Sequence, residues 1–292
     1  MPVSSQPLGA ADGEGEDEPT GAAVAADEVD GPALPVNELF ASLQGEGTLA
    51  GQPSTFVRTS GCNLRCWFCD SYHTSWEPTG AWLAVDEVVD EVAARDPTHV
   101  VLTGGEPLIH EGSEALLRAL ADEGYHTTVE TNGTVVPDPD VPVDLVSVSP
   151  KLSSSTPTAE RPPAGAETEG EGESEGKVGD PTEREAVAWS DRHERRRLDY
   201  DALAALVDRY DVQCKFVVTG PEDMAEIEAV VAGIRDRASA TLPDEDVLLM
   251  PEGTTREALA ERRRVVADLA LEYGYRFTPR LHVTLWNDAP KT

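Results

Sequence analysis

Cys62, Cys66 and Cys69 stand in the run Gly61-Cys62-Asn63-Leu64-Arg65-Cys66-Trp67-Phe68-Cys69-Asp70, separated by three and then two residues. Thiolates at that spacing can each hold one iron of a [4Fe–4S] cube and leave the fourth iron with an open coordination position. An open iron can bind a substrate or cofactor, which a cube closed by four cysteines cannot. Zinc is the chief alternative, with His73, four residues past Cys69, as the nearby candidate for a fourth ligand. Disulfides are disfavoured because three clustered cysteines leave one over. With no signal peptide or membrane-length apolar run read ahead of them, the chain is expected to be cytoplasmic. Cys214, inside Val212-Gln213-Cys214-Lys215-Phe216-Val217-Val218, reads as a buried strand thiol.

Such a loop needs a scaffold, and the hydrophobic pattern supplies one. Val85, Val88, Val89 and Val92 fall on one face of a helix, and His99-Val100-Val101-Leu102 follows as a buried strand. The alternation recurs: 115–120 before the strand 125–130, 203–207 before 212–218, and 224–234 before 247–250. It predicts an α/β fold of βα units with about six parallel strands and outer helices, a partial (β/α) barrel short of the eight units of a closed one. Chemistry in such sheets gathers at the C-terminal ends of the strands. Three motifs fall there: Thr103-Gly104-Gly105-Glu106-Pro107, Glu130-Thr131-Asn132-Gly133 and Ser149-Pro150-Lys151. The two glycines let the backbone approach a ligand closely, and Glu106 is a candidate acceptor for an ammonium. Each motif alone also reads as a turn or a polar strand exit.

Charge marks what lies outside this scaffold. The chain has 55 acidic and 23 basic residues among 292, a formal charge of −32. That field disfavours nucleic acid, whose binding depends on neutralising phosphates with Lys and Arg. Abundant Asp and Glu suit a halophilic source, where concentrated salt screens self-repulsion within about 3 Å at 1 M. Residues 1–30 contain eight acidic residues and no Lys or Arg, and read as a disordered tail. A stretch from about 153 to 195, through Glu169-Gly170-Glu171-Gly172-Glu173, reads as an acidic low-complexity insertion. The remainder of 31–292 is expected to form a single domain.

The cysteine spacing, joined to the Gly104-Gly105-Glu106 motif, resembles the radical S-adenosylmethionine (SAM) enzymes. Glu38-Leu39-Phe40-Ala41-Ser42-Leu43-Gln44-Gly45-Glu46-Gly47, then Phe56-Val57-Arg58, then Cys69-Asp70-Ser71 are similar to one family within them, 7-carboxy-7-deazaguanine synthase. The resemblance runs from about Val36 to Met250 and more weakly over 280–286. It implies a radical-SAM partial barrel in which SAM chelates the open iron and is cleaved to a 5′-deoxyadenosyl radical. It also implies conversion of 6-carboxy-5,6,7,8-tetrahydropterin to 7-carboxy-7-deazaguanine with loss of ammonia, in queuosine or archaeosine biosynthesis.

Site roles follow from the resemblance residue by residue. Cys62, Cys66 and Cys69 are implied as ligands of the [4Fe–4S] cluster and Ser71 as a ligand of Mg2+, although this family most often has threonine there. Phe68, Cys69, Asp70, Gly105, Ser149, Pro150 and Lys151 are implied as SAM contacts, with Met250 to Gly253 a further candidate. Leu43, Gln44, Gly45, Arg58 and Thr103 are implied as substrate contacts, Arg58 as a planar fork for the substrate carboxylate. An ion pair on the surface is the plainer reading of Arg58, and a turn cap that of Ser71. His282 is a further residue that could reach the substrate. Implied partners are a small pterin substrate and a reducing donor such as flavodoxin or ferredoxin, with a homodimer expected and no nucleic acid or membrane. Two other readings remain: a different radical SAM enzyme such as a glycyl-radical activase, and a zinc-stabilised binding module.

Overall fold

The computed structural model describes residues 29–75, 80–162, 183–287 and 289. The expected tail, apart from residues 29 and 30, and the centre of the 153–195 stretch lie outside them. One sheet organises the described residues. Its strands are β1 (Ala33–Leu43), β2 (Pro53–Thr59), β3 (Ala81–Ala84), β4 (His99–Gly104), β5 (His126–Thr131), β6 (Leu145–Val148), β7 (Val212–Val218), β8 (Val247–Pro251) and β9 (Arg276–Phe277). They lie in the order β3-β1-β2-β4-β5-β6-β7-β8-β9. β2 and β4 to β8 are the six parallel strands that the alternation predicts, extended by the two-residue β9. β3 and β9 stand at opposite ends of the order, so the barrel is open.

The runs form strands for the expected reason. Val100, Val101 and Leu102 are all buried, as befits a parallel strand covered on both faces. The helices α2 (Val85–Ala93) and α3 (Glu111–Asp122) close one half of the core, and α5 (Tyr200–Arg209), α6 (Met224–Arg235) and α7 (Arg256–Tyr273) close the other. Leu116, Leu117 and Leu120 of α3 have no solvent exposure, and each buried leucine stabilises the fold by roughly 1.5–3 kcal/mol. Caps fix the helix starts: the Asp199 carboxylate accepts from the backbone N–H groups of Asp201 and Ala202, and the Thr255 hydroxyl from that of Ala258. α7 ends at Gly274, whose φ of +75° is the left-handed conformation that glycine adopts without strain.

Two parts of the scaffold differ from the βα rhythm. β1 pairs antiparallel with both β2 and β3, so the chain enters the sheet through a hairpin. α7 has buried residues at Leu259, Val266, Leu269 and Ala270 only, too sparse an apolar stripe to stand out among its charges. The edges of the 153–195 stretch are also structured: Ser153–Ser155 is a 3-10 turn and Glu183–Arg196 is a helix, α4. Short α1 (Tyr72–Ser75) and α8 (Leu281–Trp286) complete the elements used below. Among the described residues no helix is long and apolar enough to cross a membrane.

Candidate active site

The parallel register sets the strand ends level. Thr59 pairs with Gly104, Thr131 with Val148 and Val218 with Pro251. The segments leaving those ends surround a cavity of about 690 Å3, a volume suited to small-molecule ligands. One side carries thiols and the other a network of ions.

On the thiol side the loop after β2 holds Cys62, Cys66 and Cys69, all on the cavity wall. Backbone contacts fix the loop: Gly105 N–H donates to the Thr59 carbonyl at 3.2 Å and Glu106 N–H to the Gly61 carbonyl at 2.9 Å. A Cβ on Gly105 would run into that Gly61 carbonyl, so the close approach requires glycine. Asn63 bridges to the β5 exit, donating to the Thr134 hydroxyl at 2.7 Å and accepting from the Asn132 amide at 2.8 Å. Burial raises the pKa of all three thiols, that of Cys62 to about 12, so without a metal they stay protonated. Among the described residues no three His, Cys, Asp or Glu side chains converge on one ion-sized position. Three thiols on the cavity wall offer one thiolate to each of three irons of a cube, whereas a closed tetrahedral zinc shell needs a fourth ligand. His73, the candidate fourth zinc ligand, faces the Glu38 carboxylate at 3.8 Å instead.

The ion side is complete in itself. The Lys215 ammonium, on β7 and 4 % exposed, lies 2.6 Å from Glu46 and 2.8 Å from Glu130. Arg280 reaches Glu46 at 3.0 Å, pairs with Asp70 and donates to the Gly253 carbonyl at 2.6 Å. Burial would raise the pKa of Glu46, but Lys215 and Arg280 outweigh it and hold that carboxyl well below its usual range. The same two carboxylates overcome the burial of Lys215 and push its pKa up. Asp70 is likewise held ionised by Arg280 against burial, although nearly half of its side chain is open to the cavity. The Gln44 amide donates to Glu130 at 3.3 Å.

Arg58 stands between the two sides. In the sheet register it lies opposite Glu38 on β1 and Thr103 on β4. Its Nε is 2.8 Å from the Glu38 carboxylate, and its Nη1 donates to the Ser71 hydroxyl at 2.8 Å. The Ser71 hydroxyl donates in turn to Asp70 at 3.1 Å. Arg58 is therefore in an ion pair and on the cavity wall at once.

The cavity gathers nearly every residue singled out from the sequence: Leu43, Gln44, Gly45, Arg58, Phe68, Asp70, Ser71, Thr103, Gly105, Ser149 and Lys151 all line it, with Met250, Glu252 and His282. Pro150 is buried between Ser149 and Lys151, where it shapes the turn and adds no wall. The Gly45 carbonyl is taken by the Leu281 N–H at 2.7 Å, and the His282 ring packs where a Cβ on Gly45 would be. Glu106 departs from the ammonium-acceptor reading. It has no exposure, and its oxygens accept from Leu108 N–H, the Thr131 hydroxyl and Asn132 N–H. It ties β4 to β5 beneath the cavity, and burial raises its pKa against those three bonds. Cys214 is 1 % exposed in the core, as its strand context predicts.

The sequence placed Glu130 in a strand-end motif but assigned no charge partner to it, and no role to Lys215 or Arg280. A lysine inside an apolar strand was the one signal available, since its partners lie 169 and 85 positions away.

This arrangement of loop, strand ends and cavity defines a radical SAM protein, and residues 56–145 match the model of the Radical SAM superfamily. The chain is 60% identical over 264 residues to a 7-carboxy-7-deazaguanine synthase of Halobacterium salinarum, covering 90% of this chain and 94% of that one. It is 38% identical over 252 residues to the enzyme of that name from Rhodopirellula baltica, covering 86% of each. A third relative of that name, from Pyrobaculum aerophilum, is 34% identical over 264 residues, 88% of this chain and 97% of that one. The chain belongs to the 7-carboxy-7-deazaguanine synthase family, which sets aside the activase and zinc-module readings. Its fold matches the crystal structure of QueE from Escherichia coli with a TM-score of 0.56 at 22% identity, over 86% of this chain and 95% of that one.

Proposed function

We propose that this chain converts 6-carboxy-5,6,7,8-tetrahydropterin to 7-carboxy-7-deazaguanine with loss of ammonia, for queuosine or archaeosine biosynthesis. The observation that carries the reading is the division of one cavity between three thiols and a preassembled set of charged groups. Cys62, Cys66 and Cys69 would hold a [4Fe–4S] cluster. Together with SAM, that cluster would supply the radical chemistry that the conversion needs.

The chain's own residues bind and orient. Phe68, Cys69 and Asp70 on one side, and Gly105, Ser149 and Lys151 on the other, frame the space for SAM between the thiols and the strand ends, with Pro150 fixing the backbone between Ser149 and Lys151. Leu43, Gln44, Gly45, Arg58 and Thr103 frame the space for the pterin. The Arg58 guanidinium offers a planar pair of donors to its carboxylate, and the Gln44 amide offers both a donor and an acceptor to its ring edge. Ser71 would provide an oxygen for Mg2+, an ion that keeps several waters and needs few protein ligands. Arg58 donates to that same Ser71 oxygen, whose remaining lone pair stays available to a cation.

A low-potential donor such as flavodoxin or ferredoxin would supply the electron in the cytoplasm. We read the assembly as a homodimer, for which the exposed Val265 and Leu271 of α7 offer apolar surface. Sedimentation of the reconstituted protein tests that state. The activity is tested by anaerobic turnover of the carboxytetrahydropterin with SAM, reductant and Mg2+, following the deazaguanine product and ammonia.

A further inference from the structure

His193, near the end of α4, is 1 % exposed although it belongs to a stretch whose composition suggested a surface insertion. Its ring lies against the cysteine loop. Arg65 N–H donates to His193 Nδ1 at 3.3 Å, and His193 Nε2 is 2.9 Å from the Ser155 hydroxyl oxygen. The Ser155 hydroxyl donates to the Leu152 carbonyl at 2.6 Å. Two more bonds join the same segments: Trp67 N–H donates to the Ser155 carbonyl at 3.2 Å, and the Trp67 indole N–H to the Ser154 carbonyl at 2.6 Å. Arg197 anchors the helix end to the Lys151 carbonyl at 2.9 Å and to Glu226 at 2.7 Å.

The donors settle the direction of this relay. A backbone N–H aimed at Nδ1 requires a lone pair there, so the ring proton sits on Nε2 and is donated to Ser155. The Ser155 oxygen then accepts from histidine, and its one proton goes to the Leu152 carbonyl.

We propose that His193 and Ser155 are positioning residues for the iron–sulfur cluster, holding the backbone on both sides of Cys66, at Arg65 and at Trp67. Outer-shell partners of this kind orient a ligand. The inference rests on the assignment of Cys66 as a cluster ligand and extends it to the residues behind that ligand.

The test compares the full-length chain with Ser155→Ala, His193→Asn and His193→Gln, each reconstituted anaerobically. Cluster retention is read by the rate of iron loss to a chelator. Thermal unfolding of the cluster-free proteins reports folding. Asparagine can keep the acceptor facing Arg65, whereas glutamine keeps only the donor to Ser155. The expected result is roughly tenfold faster iron loss in His193→Gln and Ser155→Ala, with wild-type retention rescued in His193→Asn. Wild-type retention in both His193→Gln and Ser155→Ala would overturn the proposal. Should the His193 variants fail to fold, Ser155→Ala decides alone, wild-type retention in it again being the contrary result. A wild-type chain that assembles no cluster would instead overturn the ligand assignment on which the inference stands.

Discussion

The two sides of the cavity are finished to different degrees. Around Lys215 the charges are already paired: Glu130, Lys215, Glu46, Arg280 and Asp70 form a continuous chain in which two cations hold three carboxylates. Around Cys66 the backbone is fixed, but the thiols are half-buried with raised pKa values, which favours the thiol form until a metal takes the thiolate. The ion side therefore belongs to the fold and the thiol side to the loaded enzyme. Damage to the first should appear as lost stability, and damage to the second as lost cluster in a protein that still folds.

The sharpest separation comes from the cysteines. Cys66→Ala is expected to abolish the cluster and all turnover while leaving the thermal unfolding of the cluster-free protein near that of wild type. Cys214→Ala, in the core and away from the cavity, should retain full iron content. Loss of iron in Cys214→Ala with retention in Cys66→Ala would reverse the ligand assignment.

Next comes Lys215→Met, which leaves Glu46 and Glu130 without the cation between them. Breaking a buried pair by removing one partner costs about 3–5 kcal/mol, so the melting temperature should fall markedly and the cavity should lose its shape. A variant that melts like wild type would show that the ion network is not part of the fold. Its proton count points the same way: Glu46 is depressed and Lys215 raised, so both stay charged through neutral pH and the network should be insensitive to pH there.

Arg58→Ala should be milder and confined to ligand binding. Cluster content and SAM binding should persist, while substrate affinity falls by the roughly 1.5–3 kcal/mol of a charge-assisted hydrogen bond, about 10- to 150-fold. Titration of substrate into the reconstituted variant checks this, and unchanged affinity would leave Arg58 as the partner of Glu38 alone. The smallest effect is expected of Ser71→Ala: a weaker dependence of the rate on Mg2+ with iron content unchanged, measured by turnover across a magnesium series. A wild-type rate indifferent to chelation of magnesium would remove that role from Ser71.

What could be read in the sequence follows the same division. The thiol side is local, with three cysteines inside eight residues, and its strand ends are announced by Thr103-Gly104-Gly105 and Ser149-Pro150-Lys151. The βα rhythm was legible because parallel strands buried on both faces leave unbroken apolar runs such as 100–102 and 247–250. The ion side is built from residues far apart in the chain, with Arg280 meeting Glu46 across 234 positions. No spacing rule reaches that distance. His193 was hidden differently, in a stretch whose acidic composition masked one buried ring, and α7 was hidden by a sparse apolar face.

The central claim is that one cavity joins a three-thiolate cluster site to a prebuilt pterin site. Its most direct test is anaerobic incubation of the reconstituted chain with SAM, a low-potential reductant, Mg2+ and 6-carboxy-5,6,7,8-tetrahydropterin, beside the Cys66→Ala variant. The account predicts 7-carboxy-7-deazaguanine and ammonia in equal amounts from the wild type and neither from the variant. SAM cleavage by a fully loaded wild-type cluster, with the pterin left unchanged, would contradict it.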